Sequence, residues 1–286
     1  MIQTTKNITG KDTLEHIDGS LVQHGKLSDR IYLMKLAGDP ETLVARLDTL
    51  AAEAQYSKIF AKVPAPYRGV FEAAGYRAEA HIPGFFEGTT DVVFMAKFPD
   101  PSRADERQPD RVKQVIEVAV SKEPAGALPP LSDEFHLFEP GPEHAEGICE
   151  VYRKVFETYP FPIHDPVYIR STMDENFVYF AITHNDRIVS MASSEMDENG
   201  RNVEMTDFAT IPDYRGHGHA LYLLKDMENA MSERGILTGF TIARAVSFGM
   251  NATFAKAGYA YTGTLVNNTN ICGRLESMNV WYKPLG

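Results

Sequence analysis

The chain has 286 residues, 43% hydrophobic and 23% charged, a composition that excludes a disordered or fibrous protein and a length that favours two cores over one. Lys and Arg total 28 against 39 for Asp and Glu, a net charge of -11 that repels phosphate backbones and argues against a nucleic-acid partner. No run approaches the roughly 18 apolar residues of a spanning helix, Met1-Ile2-Gln3-Thr4-Thr5-Lys6 holds no apolar signal core, and Cys149 and Cys272 stand far apart outside any CxxC spacing, so the expectation is a cytoplasmic protein without membrane segment, disulfide scaffold or thiolate zinc site.

In chain order, Glu41 to Gln55 reads as a helix carrying Leu43, Leu47, Leu50 and Ala54 on one stripe. Ile59-Phe60-Ala61-Lys62 followed by Phe71-Glu72-Ala73-Ala74-Gly75-Tyr76 parallels Thr241-Ile242-Ala243-Arg244 followed by Phe254-Ala255-Lys256-Ala257-Gly258-Tyr259, the mark of an internal duplication. No glycine-rich turn precedes the Glu41 helix, so a related first half would have lost its anion-binding loop. From Phe98 to Leu131 the composition turns to Pro, Asp, Arg and Lys and reads as a linker, within which Val112, Val115, Ile116, Val118 and Ala119 have the spacing of one short helix. The expected division is a degenerate N-terminal domain over 1–98, a linker over 99–131 and a catalytic domain over 132–286.

In the last of these, Glu143 to Glu157 places Ile148, Val151, Tyr152, Val155 and Phe156 at helical spacing. Phe177 to Thr183 and Arg187 to Glu195 flank Asn185-Asp186 as a hairpin, and Asn202 to Ile211 is a strand closed by Pro212. His219 to Glu233 is a helix with Ala220, Leu223, Leu224, Met227, Ala230 and Met231 on one face. A strand over Thr238 to Ala243, a helix from Phe248 to Ala257 ended by Gly258, a strand from Tyr259 and a strand over Glu276 to Tyr282 follow. The order αα-βββ-α-β-α-ββ predicts an α/β fold with a mixed, mostly antiparallel sheet flanked by helices.

Between the strand ending at Ile211-Pro212 and the His219 helix lies Tyr214-Arg215-Gly216-His217-Gly218-His219-Ala220. A turn of small residues opening a helix presents unpaired main-chain N–H groups and the positive end of the helix dipole, which together hold a pyrophosphate. Gly216 and Gly218 permit close approach and Arg215 adds a cation. A P-loop would need Lys-Ser/Thr where His219-Ala220 stands, and a dinucleotide fingerprint would need a small residue at Leu221. A glycine-rich turn without a ligand is the plain alternative.

These residues resemble the GNAT acetyltransferases, whose acetyl-CoA loop reads Arg/Gln-x-x-Gly-x-Gly/Ala; Arg215, Gly218 and Ala220 match it. The resemblance implies that main-chain N–H groups of Gly216, His217, Gly218, His219 and Ala220 bind the pyrophosphate of acetyl-CoA, and that Phe208, Ala209 and Thr210 pair with its pantetheine arm beside a bulged strand. It also implies a cofactor-facing helix bearing Asn251 and Phe254, matched by Asn251 through Gly258-Tyr259. The runs Tyr159-Pro160-Phe161-Pro162-Ile163-His164-Asp165-Pro166, Glu204-Met205-Thr206-Asp207-Phe208-Ala209-Thr210, Asn267-Asn268-Thr269-Asn270 and Glu276-Ser277-Met278-Asn279-Val280-Trp281-Tyr282-Lys283 resemble more narrowly the β-lysine N6-acetyltransferases, which make the compatible solute Nε-acetyl-β-lysine from a product of lysine 2,3-aminomutase.

Acetyl transfer to an ammonium with a pKa near ~10.4 needs a base. Strand alternation puts Glu204, Thr206 and Phe208 on one face, with Glu204 the first candidate base; Asp207 serves only if a bulge re-aims it, and a surface salt bridge is the plain role for either. The family's usual Tyr acid is replaced by Phe254, leaving Tyr222, Tyr179 or solvent to protonate the leaving thiolate. For the amine substrate, Glu195, Asp207, Asp165 and Asp174 are candidate ammonium partners, and Arg244, His164 and Asn267 to Asn270 candidate carboxylate partners. Tyr159, Phe161 and Trp281 are candidate pocket walls, with plain core as the alternative. The nine His residues show no metal-ligand spacing. Another small amine or polyamine, or a CoA-binding sensor without turnover, remain the rival functions; homodimerisation stays open.

Overall fold

The computed structural model describes residues 12–286, so the reading of Met1-Ile2-Gln3-Thr4-Thr5-Lys6 falls outside the described residues. Strands β1 (Thr13–Ile17), β2 (Ser20–Gly25) and β3 (Arg30–Lys35) lead into helix α1 (Pro40–Ala54). Asp39 starts that helix by accepting a hydrogen bond from the Thr42 N–H at 2.8 Å, Pro40 occupies the first turn, and Leu43, Val44, Leu47 and Ala51 form its buried stripe. Then follow β4 (Lys58–Pro64), α2 (Arg68–Ala73), β5 (Arg77–Phe86) and β6 (Thr90–Lys97), in a sheet of order β1-β2-β3-β4-β6-β5 whose β3/β4 pair is parallel.

Helix α3 (Pro109–Val120) forms where the linker pattern placed it, and it is docked: Val112, Val115 and Ala119 are buried, and the Arg111 guanidinium lies 4.1 Å from the centre of the Phe248 ring. Beyond it come β7 (Phe135–Phe138), α4 (Ala145–Val155), α5 (Pro166–Met173), β8 (Phe177–His184), β9 (Arg187–Asp197), β10 (Asn202–Thr210), α6 (His219–Glu233), β11 (Thr238–Arg244), α7 (Phe248–Lys256), β12 (Ala260–Ile271) and β13 (Arg274–Pro284). The β8–β9 hairpin turns on Asn185 and Asp186, with φ of 50° and 60°. Strand β7 was not anticipated; it is four residues long, pairs only with β8, and carries too few residues to show a period. Among the described residues no helix is long and apolar enough to cross a membrane.

The second sheet runs β12-β13-β11-β10-β9-β8-β7. Without β7, α4 and α5, the succession β8-β9-β10-α6-β11-α7-β12-β13 repeats β1-β2-β3-α1-β4-α2-β5-β6, with the same strand neighbours and the parallel pair, β10/β11, at the equivalent place. The mixed α/β tandem read from the sequence is therefore present as two sheets. The expected loss in the first half has a physical form: where α6 begins at an uncapped Gly218, the first turn of α1 is closed by the Asp39 carboxylate.

The halves share a core. Phe60, Phe85 and Phe94 of the first sheet pack with Phe240, Leu265 and Val280 of the second, and the Phe85 and Phe240 rings meet at 5.0 Å. Each such side chain contributes on the order of 1.5–3 kcal/mol on burial, so separation of the halves is unfavourable. At the β5/β12 edge the His81 N–H donates to Thr262 at 3.0 Å. Buried Lys58 joins the halves by donating to Glu79 at 2.9 Å and to the Val266 carbonyl at 2.7 Å. Gly263 is required there, since a Cβ would lie 2.0 Å from the Glu79 carbonyl oxygen.

Candidate active site

Strand β10 carries the chemistry because both its neighbours change along it. It pairs with β11 only from Asn202↔Thr238 to Glu204↔Phe240; β11 then stays with β13 while β10 stays with β9. The parallel strands therefore part beyond Glu204, leaving main-chain polar groups of β10 along a wedge without a ladder partner on that side. Against β9, Thr206↔Ser193 is followed by Ala209↔Met191, so β10 holds one extra residue. Asp207 takes the strain, with φ 56°.

That bulge corrects the face assignment. Glu204 and Thr206 line a cavity, and the bulge turns Asp207 into it as well. Phe208, expected beside Glu204, points instead to the α6/α7 face and meets Phe254 at 5.5 Å. Ala209 is buried under α4 and α5, and the Thr210 hydroxyl is 2.7 Å from that of Ser190.

The cavity, about 610 Å³, lies between the two halves. The second half supplies Tyr159, Phe161, Tyr168, Tyr179, Asn268 and Thr269 besides the acids; the first supplies Arg30, Tyr32, Phe60 and Lys62. Glu195 and Glu204 are opposite residues of β9 and β10. Burial first, and then the charge of Glu195, push the Glu204 carboxyl up to about 8; burial raises Glu195 as well. Such a pair holds a proton near neutrality and releases it when a cation arrives. Asp207 accepts from Ser193 at 2.6 Å and from the Tyr159 hydroxyl; burial raises its carboxyl and these bonds partly oppose the rise. Burial also raises the Tyr159, Tyr168 and Tyr179 phenols, so all three are neutral donors. The Tyr179 hydroxyl is 2.8 Å from that of Thr172.

At the far end of β10, Arg215 to Gly218 are exposed, with Gly216 and Gly218 at φ 90° and 76°. No side chain caps α6; the Leu221 N–H turns back to the Gly218 carbonyl at 2.9 Å, and the N–H groups of His219 and Ala220 before it remain open to an anion. Arg215 Nε donates to the Thr210 carbonyl at 3.2 Å, fixing the cation beside the loop, and the exposed His217 ring lies 3.2 Å from the Tyr214 carbonyl. His219 and Ala220 begin the helix; the His219 side chain is buried against Phe135 at 4.6 Å, leaving its main chain as the part that faces a ligand.

Several expected site residues are structural. Asn251 is fully buried and saturated, donating to the Arg244 and Ser247 carbonyls and accepting from Asn279 and Trp281 at 2.9 Å each, so it has no bond left for a cofactor. Phe254 is fully buried between Phe208 and Tyr259. Tyr222 packs against the α6-side core, outside the Glu204 cavity, and so is not brought to the reacting end. Arg244 is taken by Glu276 in a two-pronged pair, both arms 2.7 Å. His164 does not line the cavity; its carbonyl accepts from Arg153 in the turn before α5. Asp165 and Asp174 cap α5, and Trp281 is core. Asn267 is tied to the Arg103 and Asp105 carbonyls, and Asn270 accepts from Thr158. Arg30 and Lys62 were missed, although a cation inside an apolar strand, as in Phe60-Ala61-Lys62-Val63, was a legible anomaly. Among the described residues no group of three or more His, Cys, Asp or Glu could hold a metal ion.

A strand wedge, a bulge carrying an acid, and an uncapped glycine loop on the following helix define a CoA-dependent N-acyltransferase fold. The chain matches the acetyltransferase (GNAT) family over residues 145–259. It is 42% identical to the β-lysine N(6)-acetyltransferase of Methanococcus maripaludis over 93% of this chain and 97% of that protein. It is 32% identical to the protein of that name from Methanosarcina mazei, covering 88% and 100%, and 30% identical to N-acetyltransferase YodP of Bacillus subtilis, covering 93% and 96%. The chain belongs to the GNAT acetyltransferases; it is an N-acetyltransferase with acetyl-CoA as co-substrate.

Proposed function

We propose that the chain transfers the acetyl group of acetyl-CoA to the N6 amine of β-lysine, within a single ternary complex. The observation that carries this reading is the opposed Glu195–Glu204 pair at the head of the strand wedge, inside a cavity between the two halves with room for a small diamine. The two archaeal relatives named for that reaction support the choice of amine.

In the proposed sequence the pyrophosphate lies on the N–H groups of Gly216 to Ala220 beside Arg215, and the pantetheine arm follows Phe208 to Thr210 into the wedge. Glu204 removes a proton from the N6 ammonium, and the freed amine attacks the thioester carbonyl. The Ala209 N–H donates a hydrogen bond to the developing oxyanion, a contribution of roughly 3–4 kcal/mol for one such donor. The C–S bond then breaks and the CoA thiolate, with a pKa near ~8.5, leaves without a dedicated acid, while the second proton of the attacking nitrogen passes to that sulfur directly or through solvent. Asp207, held by Tyr159 and Ser193, stabilises the ammonium before its deprotonation.

We assign acetyl transfer to 132–286, treat 99–131 as the docked connector, and place the protein in the cytoplasm, where a lysine 2,3-aminomutase would supply the amine. Initial rates with β-lysine, α-lysine and spermidine test the assignment. Preference for β-lysine supports it; preference for spermidine transfers the site to polyamines.

A further inference from the structure

Among the described residues the first half has no open anion loop at α1, yet it forms one wall of the cavity, and that wall carries the cations. Arg30 stands at the start of β3 and Lys62 within β4. Arg30 is 4% exposed, and its Nη1 donates to the Asn268 carbonyl at 2.7 Å and to the Thr269 hydroxyl at 3.0 Å, while its buried Nε finds no acceptor among the described residues. Its plane lies 5.1 Å from the Tyr32 ring centre and 5.6 Å from that of Phe60, which fixes the guanidinium without neutralising it. Half-buried Lys62 lies over the rings of Phe85 at 5.9 Å and Phe240 at 5.8 Å, and its charge acts across the cavity on Glu195 and Glu204, pulling both carboxyls down against the effect of burial. Neither cation has a carboxylate within ion-pairing distance among the described residues. The other lysine on this wall, Lys35, is already paired with Asp197 at the mouth.

A buried cation without a partner is costly, and it is kept where a ligand supplies the missing anion. The inner wall opposes Arg30 and Lys62 to Glu195, Glu204 and Asp207, all lining one cavity. Three carboxylates and two cations are enough to engage a ligand with two ammonium groups and one carboxylate. Once the ammonium groups of such a ligand have engaged the acids, the cations are left for its carboxylate.

We propose that Arg30 and Lys62 form a carboxylate receptor, so that the degenerate half confines this acetyltransferase to diamino acids and turns away polyamines. The inference rests on reading the cavity as the amine site. A planar guanidinium suits a carboxylate geometrically, and the flexible Lys62 supplies the second contact.

The test compares kcat/KM for β-lysine and for β-lysinamide, which keeps both amines and loses the anion, in the wild type, Lys62→Met and Arg30→Lys. Methionine preserves the apolar stem over Phe85 and Phe240, and Arg30→Lys keeps the charge while removing the fork. The wild type should favour the acid by about tenfold or more, and Lys62→Met should collapse that ratio toward one, with Arg30→Lys lowering it less. Collapse of the ratio is not what a merely structural role gives, since general damage lowers both substrates together. An unchanged ratio in Lys62→Met, or a wild type indifferent to the carboxylate, overturns the receptor while leaving diamine acetylation standing. If neither compound is acetylated, both readings fall.

Discussion

Glu204 and Glu195 face each other across the β9/β10 ladder, at the last residue before β10 leaves β11. Antiparallel partners project to the same face, so two carboxylates are forced together where the sheet opens, and like charges opposite each other destabilise the fold. That arrangement costs stability and gives reactivity, and both sides can be measured.

On the stability side, the Glu204 carboxyl is raised from 4.5 to about 8 in the folded chain. The folded state therefore holds a proton that the unfolded state releases over that interval, and stability falls as pH rises through it. Glu204→Gln removes the burden. Its Tm should exceed that of the wild type by several degrees, order of magnitude, near pH 8 and converge with it near pH 4. Scanning calorimetry across pH checks this, and a gap independent of pH contradicts it.

The loop at α6 should govern the nucleotide alone. Arg215→Ala removes an exposed cation and should raise KM for acetyl-CoA about tenfold with little change in KM for the amine. Gly218→Ala forces a side chain to φ 76° at the helix start, costing roughly 1–2 kcal/mol, and should weaken acetyl-CoA further. Isothermal titration with CoA reads both; equal weakening of amine and nucleotide argues against the loop's role.

Arg244 is a structural cation. Arg244→Ala leaves Glu276, itself 3% exposed, with Arg274 as its remaining partner, and should cost about 2 kcal/mol in urea unfolding. KM for the amine should stay within about twofold. A large rise in KM with unchanged stability would return Arg244 to the substrate site.

Restoring the family's usual tyrosine should not help. Phe254 is fully buried between Phe208 and Tyr259, so Phe254→Tyr places a hydroxyl in apolar surroundings at a cost of roughly 1–3 kcal/mol. The expected result is lower Tm and unchanged or reduced kcat. A faster variant would mean that position 254 reaches the thiolate.

Much of this was legible from local pattern. The amphipathic stripe of α6, the Asn185-Asp186 hairpin and the Gly216–Gly218 turn follow from neighbours in sequence, and so does the strand bearing Glu204. What escaped needed tertiary information. One extra residue in β10 brought Asp207 to the Glu204 face and sent Phe208 to the other, the reverse of strict alternation; a bulged strand was implied by resemblance, but a bulge has no period that fixes its place. Asn251 and Arg244 read as polar site residues because sequence cannot show that Trp281, Asn279 and Glu276 already satisfy them. Arg30 and Lys62 joined the site only because the second sheet packs on the first, a contact between residues far apart in the chain.

The central claim is that Glu204 deprotonates the amine. The pH dependence of kcat/KM for β-lysine in the wild type and Glu204→Gln tests it most directly. The wild type should rise with pH through a limb near the pKa of about 8 raised by burial and Glu195, while the variant should lose on the order of a hundredfold and that limb with it. A variant that keeps both the rate and the limb would contradict the account.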